Sequence, residues 1–374
     1  MTTPPTVKGW CPGAYRPMMS EDGLVVRLRP RLARLTAGQA AGLCDIAVDH
    51  GSGHIDLTNR ANLQIRGVAE ADFDTVLAGL GALGLLDEDP AQESRRNILV
   101  APFWTKGDAT ARLAQSLLDH LADLPELPAK VGFAVDCDPA GPQLVGCSAD
   151  IRIEQGQAGL ILRADGAQGG RAVSEETANT ALTEMAIWLA DHLTPQARRM
   201  AAVCNRVALP SDWTNAQPRP PAARPAIGPH ALGALVGAPF GQIDARALRQ
   251  CLKRADGIRL TPWRAFLLEG AAMPASSAFV TAPDDPLMRV DACPGAPFCP
   301  SATVETRDLA RTLAPRIRGS LHVSGCSKGC ARKQSADLTL VGTDGKFDLV
   351  QAGNASDTPH KTGLKPDDVM TGEF

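Results

Sequence analysis

Residues 292–302 read ACPGAPFCPSA and residues 325–337 read GCSKGCARKQSAD, so four of the ten cysteines fall into two tight pairs. Cys293 and Cys299 are spaced C-x5-C, and Cys326 and Cys330 are spaced C-x3-C. Zinc sites usually bring ligands two to four residues apart and often use histidine. The wider pair suits zinc poorly, and neither stretch contains a histidine. Four thiolates on a [4Fe–4S] cubane are the better match, because each sulfur takes its own iron corner. The surrounding prolines and glycines let the backbone bend around such a group and aim N–H groups at its sulfurs. Four buried or reactive thiols without a metal are the plainer alternative.

The remaining thiols give no comparable pattern. Cys11 echoes the later CPGA but has no partner, and it reads as a packed thiol. Cys44, Cys137, Cys147, Cys204 and Cys251 fall in expected helices or beside strands and read as structural. Cys137 with His50 or His54 and nearby carboxylates is the candidate set for a mononuclear iron.

Bulk properties narrow the classes. The chain has 374 residues, is 44% hydrophobic and 21% charged, and has a net charge of -3. It can bury a sizeable core and carries no basic excess for a nucleic acid partner. A single tyrosine among few aromatics leaves little for base stacking. No stretch approaches the roughly 20 apolar residues of a membrane span. FDTVLAGLGALGLL (73–86) is spaced as a helix packed on a core. MTTPPTVKGW has no secretory pattern, so the cytoplasm, where thiols stay reduced, is the expected location.

The elements that position the cysteines are repeated. Proline-rich residues 209–230 cannot hold a helix or a central strand and read as a semi-rigid linker. SADIRIEQGQAGLILRADGA begins at Ser148 and SADLTLVGTDGKFDLVQAGNA at Ser335, an offset of 187. Each predicts a strand, a glycine turn and a second strand. Upstream, residues 35–67 and 243–270 share an order of helix, strand, LT loop and strand. The chain therefore reads as a duplicated α+β unit, with the cysteine pairs in its second copy only.

With those residues in view, the chain resembles the sirohaem-dependent sulfite and nitrite reductases. The matching pieces are TNRANLQ (58–64), RRN (95–97), LPAK (127–130), the four cysteines and Arg332. Within that superfamily, GWCPGAYRPMMSEDGLVVRLRP (9–30) and GHIDLTNRANLQIRG (53–67) are most similar to the precorrin-3B synthases. The resemblance implies two pseudo-symmetric halves, each a ferredoxin-like half-module followed by a larger mixed α/β module. The expected boundaries are 1–90, 91–208, the linker 209–230, 231–282 and 283–374. It implies a [4Fe–4S] cluster on Cys293, Cys299, Cys326 and Cys330. It also implies a mononuclear non-haem iron of unassigned ligands, and dioxygen-dependent hydroxylation of precorrin-3A with γ-lactone closure.

Arg60, Arg96 and Lys130 are then the expected catalytic and substrate-binding cations, with Arg332 a further substrate contact. Lys328 and Lys333 are weaker candidates, as are Arg27, Arg29, Arg31 and Arg34 along one strand and its exit. The reductases carry a second lysine where this chain has Gly132. That departure disfavours a small bare anion but not a polycarboxylate macrocycle. The rival enzyme reading is a sulfite or nitrite reductase with sirohaem bridged through Cys330. A non-enzymatic, metal-stapled scaffold is the rival from another class, and it leaves the cationic motifs unexplained. No G-x-G-x-x-G follows an expected strand, so reducing power is expected from an external electron donor.

Overall fold

Thr36 opens the first helix with a reciprocal cap: its side chain accepts from the Gln39 N–H while the Gln39 side chain takes the Thr36 N–H. Such local signals recur along the computed structural model, which describes residues 12–371 and so leaves Cys11 outside. The first half-module runs β1 (Met18–Ser20), β2 (Gly23–Leu28), β3 (Arg34–Thr36), α1 (Ala37–His50), β4 (His54–Leu57), β5 (Leu63–Val68) and α2 (Phe73–Ala82). The α2 helix buries Val76 and Leu80, as its apolar spacing predicts.

The first large module follows with α3 (Pro90–Arg95), β6 (Ile98–Val100), α4 (Ala109–Asp119), β7 (Phe133–Asp136), β8 (Ile151–Gln155), β9 (Leu160–Ala164), β10 (Arg171–Ala172), α5 (Ala178–His192) and α6 (Met200–Cys204). The second half-module holds β11 (Gly228–His230), β12 (Gly233–Gly237), β13 (Gln242–Asp244), α7 (Ala245–Cys251), β14 (Gly257–Leu260) and β15 (Ala265–Glu269). The last module has β16 (Val290–Ala292), α8 (Arg307–Leu313), β17 (Leu321–Ser324), β18 (Ala336–Thr343), β19 (Lys346–Gly353), β20 (Lys361–Leu364) and α9 (Pro366–Thr371).

Four five-stranded sheets result, and they form two matched pairs. In the large modules the orders are β10-β9-β8-β7-β6 and β16-β17-β18-β19-β20. Each has three parallel strands and an antiparallel edge. Ile151 in β8 and Leu338 in β18 keep the offset of 187 read from the repeat. The half-modules exchange strands: β13 completes the sheet β1-β2-β5-β4, and β3 completes β11-β12-β15-β14. Ile243 pairs with Ile55, and Leu35 with Ile258. One apolar core, including Leu43, Ile55, Ile65, Leu248, Ile258 and Phe266, therefore belongs to both halves.

Even the strained positions are duplicated. Leu32 and Phe240 have φ of 54° and 59° in matching turns, and Ala61 and Arg264 have φ of 52° and 57° after β4 and β14. Non-glycine residues enter that region at a cost, so the shared strain marks a shared backbone. Residues 209–230 do not hang free. Ala216 and Pro218 bridge to Gly170 and Gly156, Trp213 is buried, and β11 begins within the stretch.

Candidate functional site

Cys293 leaves the end of β16, and Cys326 and Cys330 leave the end of the adjacent parallel strand β17. The Cys293 N–H donates to Val323 O at 3.4 Å, extending the ladder one residue past β16. Gly325 N–H then donates to Cys293 Sγ at 3.2 Å. A Cβ at Gly325 would meet Ala302 Cβ at 2.6 Å, and Gly295, at φ 70°, is equally crowded by Thr306. Both glycines are required by close approach, not by chain flexibility.

The four thiols feel one another. Burial pushes the Cys293 thiol up, the Gly325 and Gly295 amides oppose this, and Cys299 and Cys326 add to it. Burial also raises Cys330, with Cys293 and Cys326 adding and Lys328 and Lys333 opposing. Yet among the described residues no three His, Cys, Asp or Glu side chains surround one ion position. A single ion would need its sulfurs about 2.3 Å from a common point. The C-x5-C and C-x3-C pairs, at the ends of adjacent strands, offer one thiolate for each metal of a polynuclear centre.

Cys293 and Cys330 open onto a cavity of about 360 Å³ between the first half-module and the last module. Arg27 of β2, Asp56 of β4 and Gln64 and Arg66 of β5 form one wall; Asp291, Arg264 and Arg307 border the other. Arg307 Nη2 lies 3.4 Å from Asp56 Oδ1, and Arg66 Nε lies 3.9 Å from Asp56 Oδ2. Asp291 is held by Arg332 at 3.0 Å and by Arg264 at 3.4 Å. Four arginines thus face two carboxylates in the lining, so the cavity is cationic. The Nε groups of Arg27 and Arg307 are buried without a hydrogen-bond partner. Buried donors of this kind call for an acceptor.

The residues expected from sequence distribute unevenly. Arg60 donates through Nη2 to Lys130 O at 3.2 Å and Ser148 Oγ at 3.0 Å, so the TNRANLQ and LPAK loops do meet. The Lys130 side chain is exposed. Arg96 is buried and clamped by Asp87 at 2.8 and 3.1 Å, bordering a different cavity with Arg29, Arg31 and Arg34. Arg332 reaches the cysteine site only through Asp291 and the Ser335 carbonyl. Lys333 Nζ donates to Lys328 O at 2.6 Å. At Gly132 a Cβ would come within 2.7 Å of Asn97 Nδ2, so the packing leaves no room for a second lysine.

The candidate iron ligands are not brought together. His50 lies 3.5 Å from Asp72, His54 contacts the Ser52 carbonyl, and Cys137 is buried in the first module, its thiol pushed up to about 12 by burial. Each is engaged locally, which corrects that expectation. Sequence reasoning missed Asp56, Arg66, Arg264, Asp291 and Arg307. The available signal was spacing: Gln64 and Arg66, or Asp291 and Cys293, are two apart and share a strand face.

Residues 16–83 match the family model of the nitrite/sulfite reductase ferredoxin-like half domain. Over 94% of its length the chain is 30% identical to a precorrin-3B synthase from Sinorhizobium sp, covering 84% of that protein. A stretch amounting to 22% of the chain is 29% identical to the large subunit of a nitrite reductase [NAD(P)H] from Klebsiella oxytoca, of which it covers 9%. The NirA protein of Mycobacterium tuberculosis superposes with a TM-score of 0.65 at 16% identity, over 93% of this chain and 79% of that one. That likeness shows the duplicated sulfite/nitrite-reductase-like fold. Among the described residues no helix is long and apolar enough to cross a membrane.

Proposed function

The chain belongs to the precorrin-3B synthase family, and we propose that it hydroxylates precorrin-3A with dioxygen and closes the γ-lactone, acting as a monooxygenase in cobalamin biosynthesis. The observation that carries this reading is the cavity in which the cysteine site faces Arg27, Arg66, Arg264 and Arg307. Precorrin-3A is a reduced tetrapyrrole bearing several carboxylates, and guanidinium groups bind carboxylates with paired, charge-assisted bonds.

Cys293, Cys299, Cys326 and Cys330 would hold a [4Fe–4S] cluster, which when bound supplies single electrons beside the macrocycle. The chain supplies the rest. Arg27 and Arg307 line the cavity and offer guanidinium groups to acetate or propionate oxygens. Asp56 and Asp291 hold Arg307 and Arg264 at the cavity wall, so the guanidinium groups are oriented before substrate arrives. The Gly325 and Gly295 amides favour the thiolate form of Cys293. Arg60 and Lys130 remain proposed contacts from the first half, and Arg96 a proposed support through the Arg29 segment it binds. Arg332 acts through Asp291. His50, His54 and Cys137 each have separate local surroundings and offer a mononuclear iron no shared site. Electrons would come from a separate donor in the cytoplasm.

The reductase reading, with sirohaem in this cavity, is less supported. Gly132 cannot be the fourth cationic group that gripping a small anion calls for. The deciding experiment supplies anaerobic protein with precorrin-3A, reductant and ¹⁸O-labelled dioxygen. The proposal expects a hydroxylated lactone carrying the label. Unlabelled or absent product, together with sulfite or nitrite reduction by a sirohaem-loaded sample, would overturn it.

A further inference from the structure

His322 is completely buried, and neither ring nitrogen has a hydrogen-bond partner. Burial is the main reason its pKa is lowered, to about 4. The ring is therefore neutral and carries one N–H, a donor that folding has placed out of reach of solvent. Native interiors rarely leave such a donor unmatched.

Its surroundings point to the missing acceptor. His322 lies in β17, four residues before Cys326, and pairs in register with Asp291 of β16. Asp291 and Cys293 are two apart, so His322 shares the sheet face from which Cys293 projects. The ring carbon between its two nitrogens, Cε1, lies 3.7 Å from the Cβ position of Gly329, inside the Cys326–Cys330 loop. The polar neighbours are already engaged: Asp291 with Arg332 and Arg264, and Thr339 with the Gly353 carbonyl.

The duplicated half provides an internal control. There the register pair matching Asp291 and His322 is Leu99 and Ala134, both buried and apolar. The half that lacks the cysteine pairs has no polar group at this place.

We propose that His322 donates its ring N–H to a sulfur of the cysteine-held cluster and so raises that cluster's reduction potential. The inference rests on the cluster reading above. Hydrogen bonds to cluster sulfurs are among the factors that set such potentials, because they stabilise the more negative, reduced state. His322 is on this view a positioning and tuning residue, not a catalytic one.

The test is an EPR-monitored redox titration of reconstituted wild type, His322→Gln and His322→Leu, with iron and sulfide measured on each sample. At full iron and sulfide, His322→Leu should be reduced at a lower potential than wild type, while His322→Gln, which keeps an N–H, stays near it. An unchanged potential in His322→Leu, as a trapped water in place of the cluster contact would give, overturns the proposal. So does an equal shift in both variants. If His322→Leu does not fold, ¹⁵N-histidine ENDOR on the reduced wild type decides: a coupled histidine nitrogen is expected, and its absence overturns the donor bond. Wild type without cubane iron and sulfide would instead remove the cluster reading itself.

Discussion

The two halves build the same corner of the fold and put opposite charges in it. In the second half-module, Arg259 of β14 and Glu269 of β15 are paired at 2.5 Å. At the matching places in the first, Asp56 of β4 and Arg66 of β5 are 3.9 Å apart, with the signs exchanged. Arg259 is long and fills its corner, bonding the Pro102 carbonyl and lying 4.1 Å over the Trp104 ring. Phe103 lies between His230 and Trp263, and beside it a smaller cavity of about 240 Å³ remains, lined by Ala101, Trp104 and Cys137. Asp56 is short, and its corner remains an open cavity of about 360 Å³. The charges at these two places are exchanged, while Arg66 takes Asp22 as its nearer partner at 2.9 Å and Glu269 also holds Arg34 at 2.6 Å. At the strand end, Ala101 stands where Cys293 does, and both donate to the matching carbonyl, Val135 or Val323.

The sharpest way to break this comparison is at the sulfurs. Cys326→Ser or Cys330→Ser should lose bound iron, sulfide and turnover together, since the ligands of a cubane act as a unit. Cys137→Ser in the other half should keep its iron. Iron and sulfide analysis of the three variants reads the difference directly.

Next come the guanidinium groups. Removing one charge-assisted hydrogen bond costs about 1.5–3 kcal/mol, roughly 10- to 150-fold in affinity. Arg27→Ala and Arg307→Ala should each weaken binding of a polycarboxylate porphyrin by that order. Arg259→Gln, at the matching buried pair of the other half, should leave binding unchanged and lower stability instead. Fluorescence titration and urea unfolding separate these outcomes.

The exchanged strands predict that the half-modules unfold together. Ile55→Ala and Ile258→Ala sit in one core and should each cost about 2–5 kcal/mol. Each should shift one common urea transition. Two separate transitions would show that the halves fold independently.

A smaller difference lies at the ends of β7 and β17. Asp136 is raised to about 6 by burial, against the hydrogen bonds from Leu144 and Gln143; Ser324 occupies the matching place. A carboxyl whose folded pKa exceeds its unfolded value binds its proton more tightly when folded. Its stability contribution is greatest below the unfolded pKa and is lost as pH rises towards 6. Asp136→Asn should therefore flatten the fall in stability between about pH 4 and 6, an effect of up to about 3 kcal/mol. Urea unfolding across that range compares it with wild type.

Much of this was legible in the sequence because it is local. The C-x5-C and C-x3-C pairs, the SAD repeat and the linker all announce themselves within short windows. Gly132 was visible too, although only its contact with Asn97 explains why no side chain fits. What escaped notice depends on partners far apart in the chain. Asp56 acquires meaning only beside Arg307, and Arg96 only once Asp87 has bound it. The strand exchange rests on β3 and β13, each three residues long, too short for any periodicity to show. His322 reads as an ordinary strand residue until its burial and its empty nitrogens are seen together.

The most direct test of the central claim, a cluster beside an unfilled macrocycle cavity, is one sample of anaerobically purified wild type. Iron, acid-labile sulfide and an acid–acetone extract would be measured on it together. About four irons and four sulfides per chain, with no sirohaem in the extract, is the predicted result. Extracted sirohaem, or zinc in place of iron and sulfide, would contradict it.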